Sequence, residues 1–310
     1  MSENLKNIIR KLKSKVKTLR NGIEANIRKK AILYTVLAGF LWGTSFPSIK
    51  IGLQYMTPFT FVFMRFLVAS VTMFSVMLIT KNTSFNFNKK RLIFLMGIIN
   101  GVAYLLQYVG MVNTLAFASS LFVNLSVVWV ALLSPLALKE RLGRKKVVGV
   151  LLSLVGVVMM TTNLDFGSLG AVDVIGNLLV IGAGILWAVF IIYNKPLVEK
   201  TTNLIQSMTW ILLFTMIPLL PIATFSMENV ITLSWDAWLA IGYTAIVCWV
   251  LPYYFWLKGL KQISPVTSAI VLLTEIIVAV TISTIFLGEI LTIISGIGAA
   301  TIILAILLVS

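Results

Sequence analysis

Residues 31–50 read AILYTVLAGFLWGTSFPSIK, with no charged side chain before the closing Lys50. A helix rises roughly 1.5 Å per residue, so crossing the hydrocarbon takes about 20 mostly apolar residues. This stretch is one crossing long. The same pattern recurs near 57–80, 92–113, 115–138, 147–162, 174–194, 204–225, 237–257, 265–287 and 291–309, which predicts an all-α integral membrane protein with ten transmembrane helices. Bulk composition agrees: of 310 residues 59% are apolar and 11% charged, against roughly 25% charged in an average soluble domain. One water-soluble core saturates near ~250–300 residues and still needs a polar skin, so lipid must solvate most of this surface.

The net charge of +15 raises nucleic acid as a partner, because phosphate backbones attract clustered Lys and Arg. The positions of the cations argue against it, since they occupy the amino-terminal tail and short loops between apolar runs. The lipid bilayer is the expected partner. The chain has no histidine and a single cysteine, Cys248, inside an apolar run. That excludes Ser-His and Cys-His nucleophile pairs, His-ligated metals, Cys metal clusters and a disulfide framework. No metal or cofactor is expected.

Residues 1–30 carry ten of the 25 basic residues and two acids, Glu3 and Glu24. Leu5, Ile8, Ile9, Leu12, Val16, Leu19, Ile23 and Ile27 recur at helical steps. Three readings stay open: an amphipathic helix on an anionic membrane surface, a solvated basic tail, and an organellar transit peptide. A secretory signal does not fit, because no small-residue cleavage site follows the first apolar run. Orientation follows from the cations, which resist translocation. With the amino terminus inside, the tail, Lys81 with Lys89–Arg91, the 139–146 loop, Lys195 with Lys200, and Lys258 with Lys261 all fall on the cytoplasmic side, leaving Lys50 and Arg65 as exceptions. Both termini are then cytoplasmic, in a multi-pass protein of the cell membrane.

Five spans per half raise a duplication, with a first unit at 31–163 and a second at 174–310. Ala38-Gly39-Phe40-Leu41-Trp42 lies over Ala183-Gly184-Ile185-Leu186-Trp187, and Lys50 then falls on Lys195. Further along, Gly110, Ser119, Ser134, Leu138, Glu140, Leu142 and Gly149 fall on Gly259, Ser268, Ser283, Leu287, Glu289, Leu291 and Gly298. An odd number of spans forces the second unit to insert upside down. The 139–146 loop around Glu140 has five cations, whereas its counterpart Gly288-Glu289-Ile290-Leu291-Thr292 has none, as inversion requires.

These residues resemble the EamA-like branch of the drug/metabolite transporter superfamily. The resemblance rests on Gly39 through Phe46 with Lys50, on Arg65 in the next span, and on Gly288 through Thr292 before the last. It covers about 31–309 and leaves the basic tail outside. Two positions depart from the family pattern. Lys139 stands where a glycine would precede Glu140, and Ile276 stands where a proline would follow Glu275, which leaves no proline to break that helix. The resemblance implies ten helices in two repeats and export of amino acids or related metabolites.

Helices in lipid pack through small residues, and Gly39-x-x-x-Gly43, Gly97-x-x-x-Gly101, Gly149-x-x-x-Ser153 and Ser295-x-x-x-Ala299 supply such faces. Glu275 is the one acid deep in a span, where a charge costs roughly 2.5–3.5 kcal/mol on insertion scales. It should therefore face a cavity or a partner, and there it can take up and release a proton during a transport cycle. At helical spacing Ser264, Ser268 and Glu275 share a stripe, and the first unit offers Ser119 and Ser126 with Ser120 and Asn124 beside them. Trp42, Tyr104, Gln107, Trp187, Tyr253 and Tyr254 are candidates to complete a pocket, although Trp and Tyr also anchor helices at the interface. Arg65 either holds an anionic substrate or snorkels outward or braces a neighbouring helix. Glu140 and Glu289 read as helix-end caps, and Pro47, Pro218, Pro221 and Pro252 as candidate hinges.

The expected function is a secondary transporter of small metabolites working by alternating access, because no P-loop is present to use ATP. A channel and a non-transporting membrane scaffold are the alternatives. An intramembrane enzyme is disfavoured, with no histidine, no GxGD pair and no DDxxD cluster. Oligomeric state is not readable.

Overall fold

The structure, a computed structural model, describes residues 3–81, 90–112, 116–165, 174–200, 203–226, 233–287 and 291–310. Among these every regular element is helical. The helices are α1 (Glu3–Gly43), α2 (Ser45–Gly52), α3 (Pro58–Ile79), α4 (Lys90–Val112), α5 (Ala116–Asn124), α6 (Ser126–Leu138) and α7 (Arg144–Thr162). They continue with α8 (Val174–Lys200), α9 (Leu204–Ser226), α10 (Trp235–Ala245), α11 (Leu251–Leu260), α12 (Pro265–Leu272), α13 (Thr274–Leu287) and α14 (Ile293–Val309), and a π-helical segment, Ile246–Val250, joins α10 to α11.

Nine helical stretches among the described residues are long and apolar enough to cross a membrane, and α14, with 17 residues, is a shorter apolar helix. Each overlaps one of the ten expected crossings, so the protein is a multi-pass membrane protein. Large apolar side chains such as Leu136, Ile293 and Leu307 point outward, as lipid contact demands.

The tail continues the first crossing. α1 runs unbroken for 41 residues, about 60 Å at the usual helical rise, twice the hydrocarbon thickness of ~30 Å. A tail lying in the membrane plane would need a break between tail and crossing, and α1 has none. Near their junction Arg28 donates from Nη2 to the Val309 carbonyl oxygen at 2.8 Å, tying α1 to the end of α14.

Small residues set the helix contacts, and the contacts come in reciprocal pairs. A Cβ on Gly39 would stand 3.1 Å from the Leu272 carbonyl oxygen, and one on Gly184 would stand 3.3 Å from that of Val123. Likewise Gly110 meets the carbonyl of Gly176 at 2.8 Å, and Gly259 meets that of Ala31 at 2.7 Å. Gly298 meets Gly156 at 2.8 Å, and Gly149 meets Ala305 at 3.7 Å. In the alignment of the two units, each contact maps onto its partner when the units are exchanged. Element packing follows the same exchange: α3 lies on α9 and α7 on α14, while α4 against α8 is matched by α11 against α1.

One expectation changes at the end of a helix, and two lysines gain a structural role. Glu140 does not cap α7, whose N-cap is Gly143 with no side-chain bond; its carboxylate instead accepts from Ser134 Oγ at 3.5 Å. Lys139 adopts φ 56°, in the left-handed region that favours glycine, which explains why a glycine would suit that position. Lys195 is buried and donates to the carbonyl oxygens of Leu260 and Lys261 at 3.0 and 3.1 Å, closing the carboxyl end of α11. The Gly288-Glu289 turn lies outside the described residues.

Overpacking at a reciprocal glycine should be costly, whereas a neighbouring position facing outward should not matter. Gly298→Leu is expected to destabilise by about 1–3 kcal/mol. Gly296→Leu, two positions away with open space around it, is expected to be near neutral. Thermal melts of the two variants in one detergent compare them directly.

Candidate functional site

Four crossings are interrupted where the two units meet. The first breaks at Thr44, the fourth at Leu125 and the ninth at Leu273, while the eighth widens into the π segment. At three of them a short polar side chain takes a backbone carbonyl from the helical ladder. Thr44 Oγ1 donates to the Leu41 oxygen at 2.8 Å and Ser45 Oγ to that of Trp42 at 2.6 Å. Asn124 Nδ2 donates to the Ser120 oxygen at 2.8 Å, and Thr274 Oγ1 to that of Val271 at 2.7 Å. Such back-bonding competes with the helix and bends it. The ninth helix is interrupted at Leu273 without a proline, contrary to what Ile276 in the proline position implies.

These interruptions surround a cavity of about 170 Å³. α1 and α2 contribute Trp42, Ser45 and Ile49; α3 contributes Arg65; α4 contributes Asn100, Tyr104, Gln107 and Tyr108. The α5–α6 break brings Asn124 and Ser126, α8 brings Trp187 and Phe190, and the π segment with α11 brings Trp249, Tyr253 and Trp256. Leu272, Leu273 and Glu275 close the wall from the α12–α13 break.

The aromatic groups form one connected surface. Tyr104 meets Trp187 edge-on with centroids 4.8 Å apart and Phe66 at 4.6 Å. Trp249 donates from Nε1 to the Tyr104 hydroxyl at 3.2 Å and lies 4.7 Å from Tyr253. Tyr253 donates its hydroxyl hydrogen to Asn194 Oδ1 at 3.1 Å, so that phenol is committed to the protein. Asn100 is buried on this wall, held through Nδ2 by Thr215 Oγ1 at 2.9 Å, and its Oδ1 has no partner among the described residues.

Arg65 and Glu275 supply the only formal charges on the lining. Arg65 is 3% exposed. Its Nη2 donates to the Cys248 carbonyl oxygen in the π segment at 3.1 Å, and its Nε has no partner. Such a bond stabilises a backbone loosened by wide π winding. Arg65 is thus a brace that also faces the cavity, and it does not snorkel outward. Glu275 sits in the first turn of α13, at the positive end of a half-helix dipole. Its position is set by close packing: a Cβ on Gly43 would stand 2.6 Å from the Glu275 carbonyl oxygen.

Seven of the nine residues proposed from sequence line this one cavity: Trp42, Tyr104, Gln107, Asn124, Trp187, Tyr253 and Glu275. Ser119 and Ser268 do not. Ser268 stands behind the wall, where its Oγ accepts from Trp256 Nε1 at 2.8 Å. Ser119 is buried with an unpartnered hydroxyl. The expected serine stripes are corrected as well, because Ser264 N-caps α12 and the break at Leu273 separates Ser268 from Glu275. Asn100, Tyr108, Ser45, Trp249 and Trp256 were missed. Asn100 and Tyr108 share the helical face of Tyr104 and Gln107, at steps of four and seven, a signal present in the sequence.

Membrane-crossing helices around a polar and aromatic hollow define a class, the multi-pass membrane transporters. The chain belongs to the EamA-like transporter family, which matches residues 29–162 and again 174–310. An uncharacterized transporter of Archaeoglobus fulgidus is 27% identical over 79% of this chain and 84% of that protein. The Bacillus subtilis transporter YyaM is 25% identical over 90% of this chain and 93% of its own length. A Salmonella typhimurium protein named "Probable amino-acid metabolite efflux pump" is 26% identical over 86% of this chain and 89% of its own. One solved crystal structure shares the fold, with a TM-score of 0.75 at 16% identity over 90% of this chain and 96% of that one.

The two aligned serines should respond differently to truncation. Ser268→Ala strips a buried indole of its acceptor and is expected to cost about 0.6–1.7 kcal/mol. Ser119→Ala removes a buried hydroxyl that has no partner among the described residues and should be neutral or stabilising by up to about 1 kcal/mol. Thermal unfolding in detergent reads both.

Proposed function

We propose that the protein is a secondary transporter that exports small metabolites such as amino acids across the cytoplasmic membrane by alternating access. The observation that carries this reading is the cavity itself. It holds two opposite charges deep among apolar crossings, where an ionisable group marks a substrate or ion path by default. The reciprocal glycine contacts support two units related by a two-fold exchange. With five crossings in each unit, that exchange turns one unit upside down, and the units rock about the hollow between them. The Salmonella relative's name supports an amino-acid cargo.

Both termini lie in the cytoplasm in this reading, and Glu275 is the group that exchanges a proton with the cycle. No hydrogen bond or ion pair to another described residue engages its carboxyl, which supports a role in binding a proton or a cation.

Two measurements test the proposal. In proteoliposomes, amino-acid flux should be saturable and stimulated by counter-substrate, and Glu275→Gln should abolish its dependence on a pH gradient. Unchanged gradient dependence in that variant rules out Glu275 as the coupling site, and non-saturable flux indicates a channel. Topology is checked by thiol labelling in a Cys248→Ala background, which removes the chain's one cysteine. Tyr55→Cys should react in intact cells, and Arg141→Cys only after permeabilisation.

A further inference from the structure

Arg65 and Glu275 line the same cavity without forming an ion pair. The guanidinium is tied to the Cys248 carbonyl at 3.1 Å, and no carboxylate lies within ion-pairing distance of it among the described residues. Glu275 is fixed through its own backbone by the close approach of Gly43. Two charges in a low-dielectric interior would gain from pairing, and an unpaired buried charge is costly. Among the described residues neither side chain is in an ion pair, and Arg65 Nε has no hydrogen-bond partner. A ligand carrying one charge would satisfy one pole only. A ligand carrying both, a short distance apart, would satisfy both.

The remaining wall limits the ligand further. Its faces are aromatic, from Trp42, Tyr104, Trp187 and Trp249, and such faces attract an ammonium as well as apolar groups. The volume is about 170 Å³, close to the ~150 Å³ apolar cavity that accommodates benzene. That suits a ligand with a small hydrocarbon body.

We propose that the cavity binds a neutral amino acid as its zwitterion, with Arg65 receiving the α-carboxylate, Glu275 the α-ammonium, and the aromatic wall a compact apolar side chain of valine or leucine size. This rests on the transport reading above and adds to it the pole assignment and the size of the cargo. Arg65 suits its part because a planar guanidinium can give parallel N–H bonds to a carboxylate while one N–H stays on the π segment. Charge-assisted bonds of this kind are the stronger hydrogen bonds of a site, so losing one pole should be felt strongly.

The test titrates the full-length protein in lipid nanodiscs with leucine, isoamylamine and isocaproate, reading the heat of binding by isothermal titration calorimetry. The two analogues are leucine without its carboxylate and without its ammonium. Leucine should bind at least about tenfold more tightly than either. Arg65→Gln should lower leucine to the level of isoamylamine while leaving isoamylamine unchanged, and Glu275→Gln should do the same with respect to isocaproate. The wild-type comparison needs no variant, so it decides the question even if Arg65→Gln fails to fold. Equal binding of leucine and a one-charge analogue overturns the two-pole site, and tighter binding of tryptophan than leucine overturns the size assignment. If those results accompany saturable amino-acid flux, the transport reading stands and only this inference falls. If no amino acid binds or moves, the transport reading falls and takes this inference with it.

Discussion

Inside a bilayer every backbone N–H and C=O must find a partner within the protein, because no water is present to supply one. An uninterrupted helix meets that demand by itself. An interrupted one meets it only if something else takes the freed groups, and here that work falls to Thr44, Ser45, Asn124 and Thr274, each bonded to a carbonyl three or four residues earlier. Arg65 does the same from a distance for the π segment. The interruptions are tolerable because they face each other around a protein-lined cavity and not the lipid.

The site follows from those interruptions. A continuous helix presents side chains at fixed angular steps, so a polar stripe on one helix would have to run along its whole buried face. A break re-aims the chain locally and delivers a few polar groups to one level. Asn124 and Ser126 flank the break at Leu125, and Glu275 follows the break at Leu273. The glycines complete the arrangement by allowing α1 to press against α13 and α8 against the end of α5. Packing and chemistry are thus set by the same short segments.

The crossings were legible in the sequence because they depend on composition over about 20 residues, a signal no single position can hide. The glycine matches were legible too, and the structure gives them a physical content as paired backbone approaches. The breaks were hidden. Thr44, Asn124 and Thr274 are ordinary polar residues by type, and back-bonding depends on a side-chain rotamer that no pattern reveals; proline, the residue that would have signalled a break near Glu275, is absent. The serine stripes failed for the same reason, since they assumed an unbroken helix. Residue type and position alone leave Arg65 open as a ligand contact, an outward snorkel or a brace, and a guanidinium with several N–H groups can serve on two sides at once.

The lack of an ion pair between Arg65 and Glu275 is the point where structure and energetics meet. A direct ion pair would satisfy both charges and remove them from the cavity's capacity to bind a charged ligand. Each charge is restrained by a different device, one by a hydrogen bond to a π-helical carbonyl and the other by backbone packing on a glycine. Neither device stabilises the charge it holds by neutralising it. A fold selected for stability alone would be better served by pairing the two groups or replacing both with hydrocarbon. Under the two-pole proposal, leaving them unpaired costs stability that a zwitterionic ligand restores, so the cost falls on the empty cavity and the gain on the occupied one.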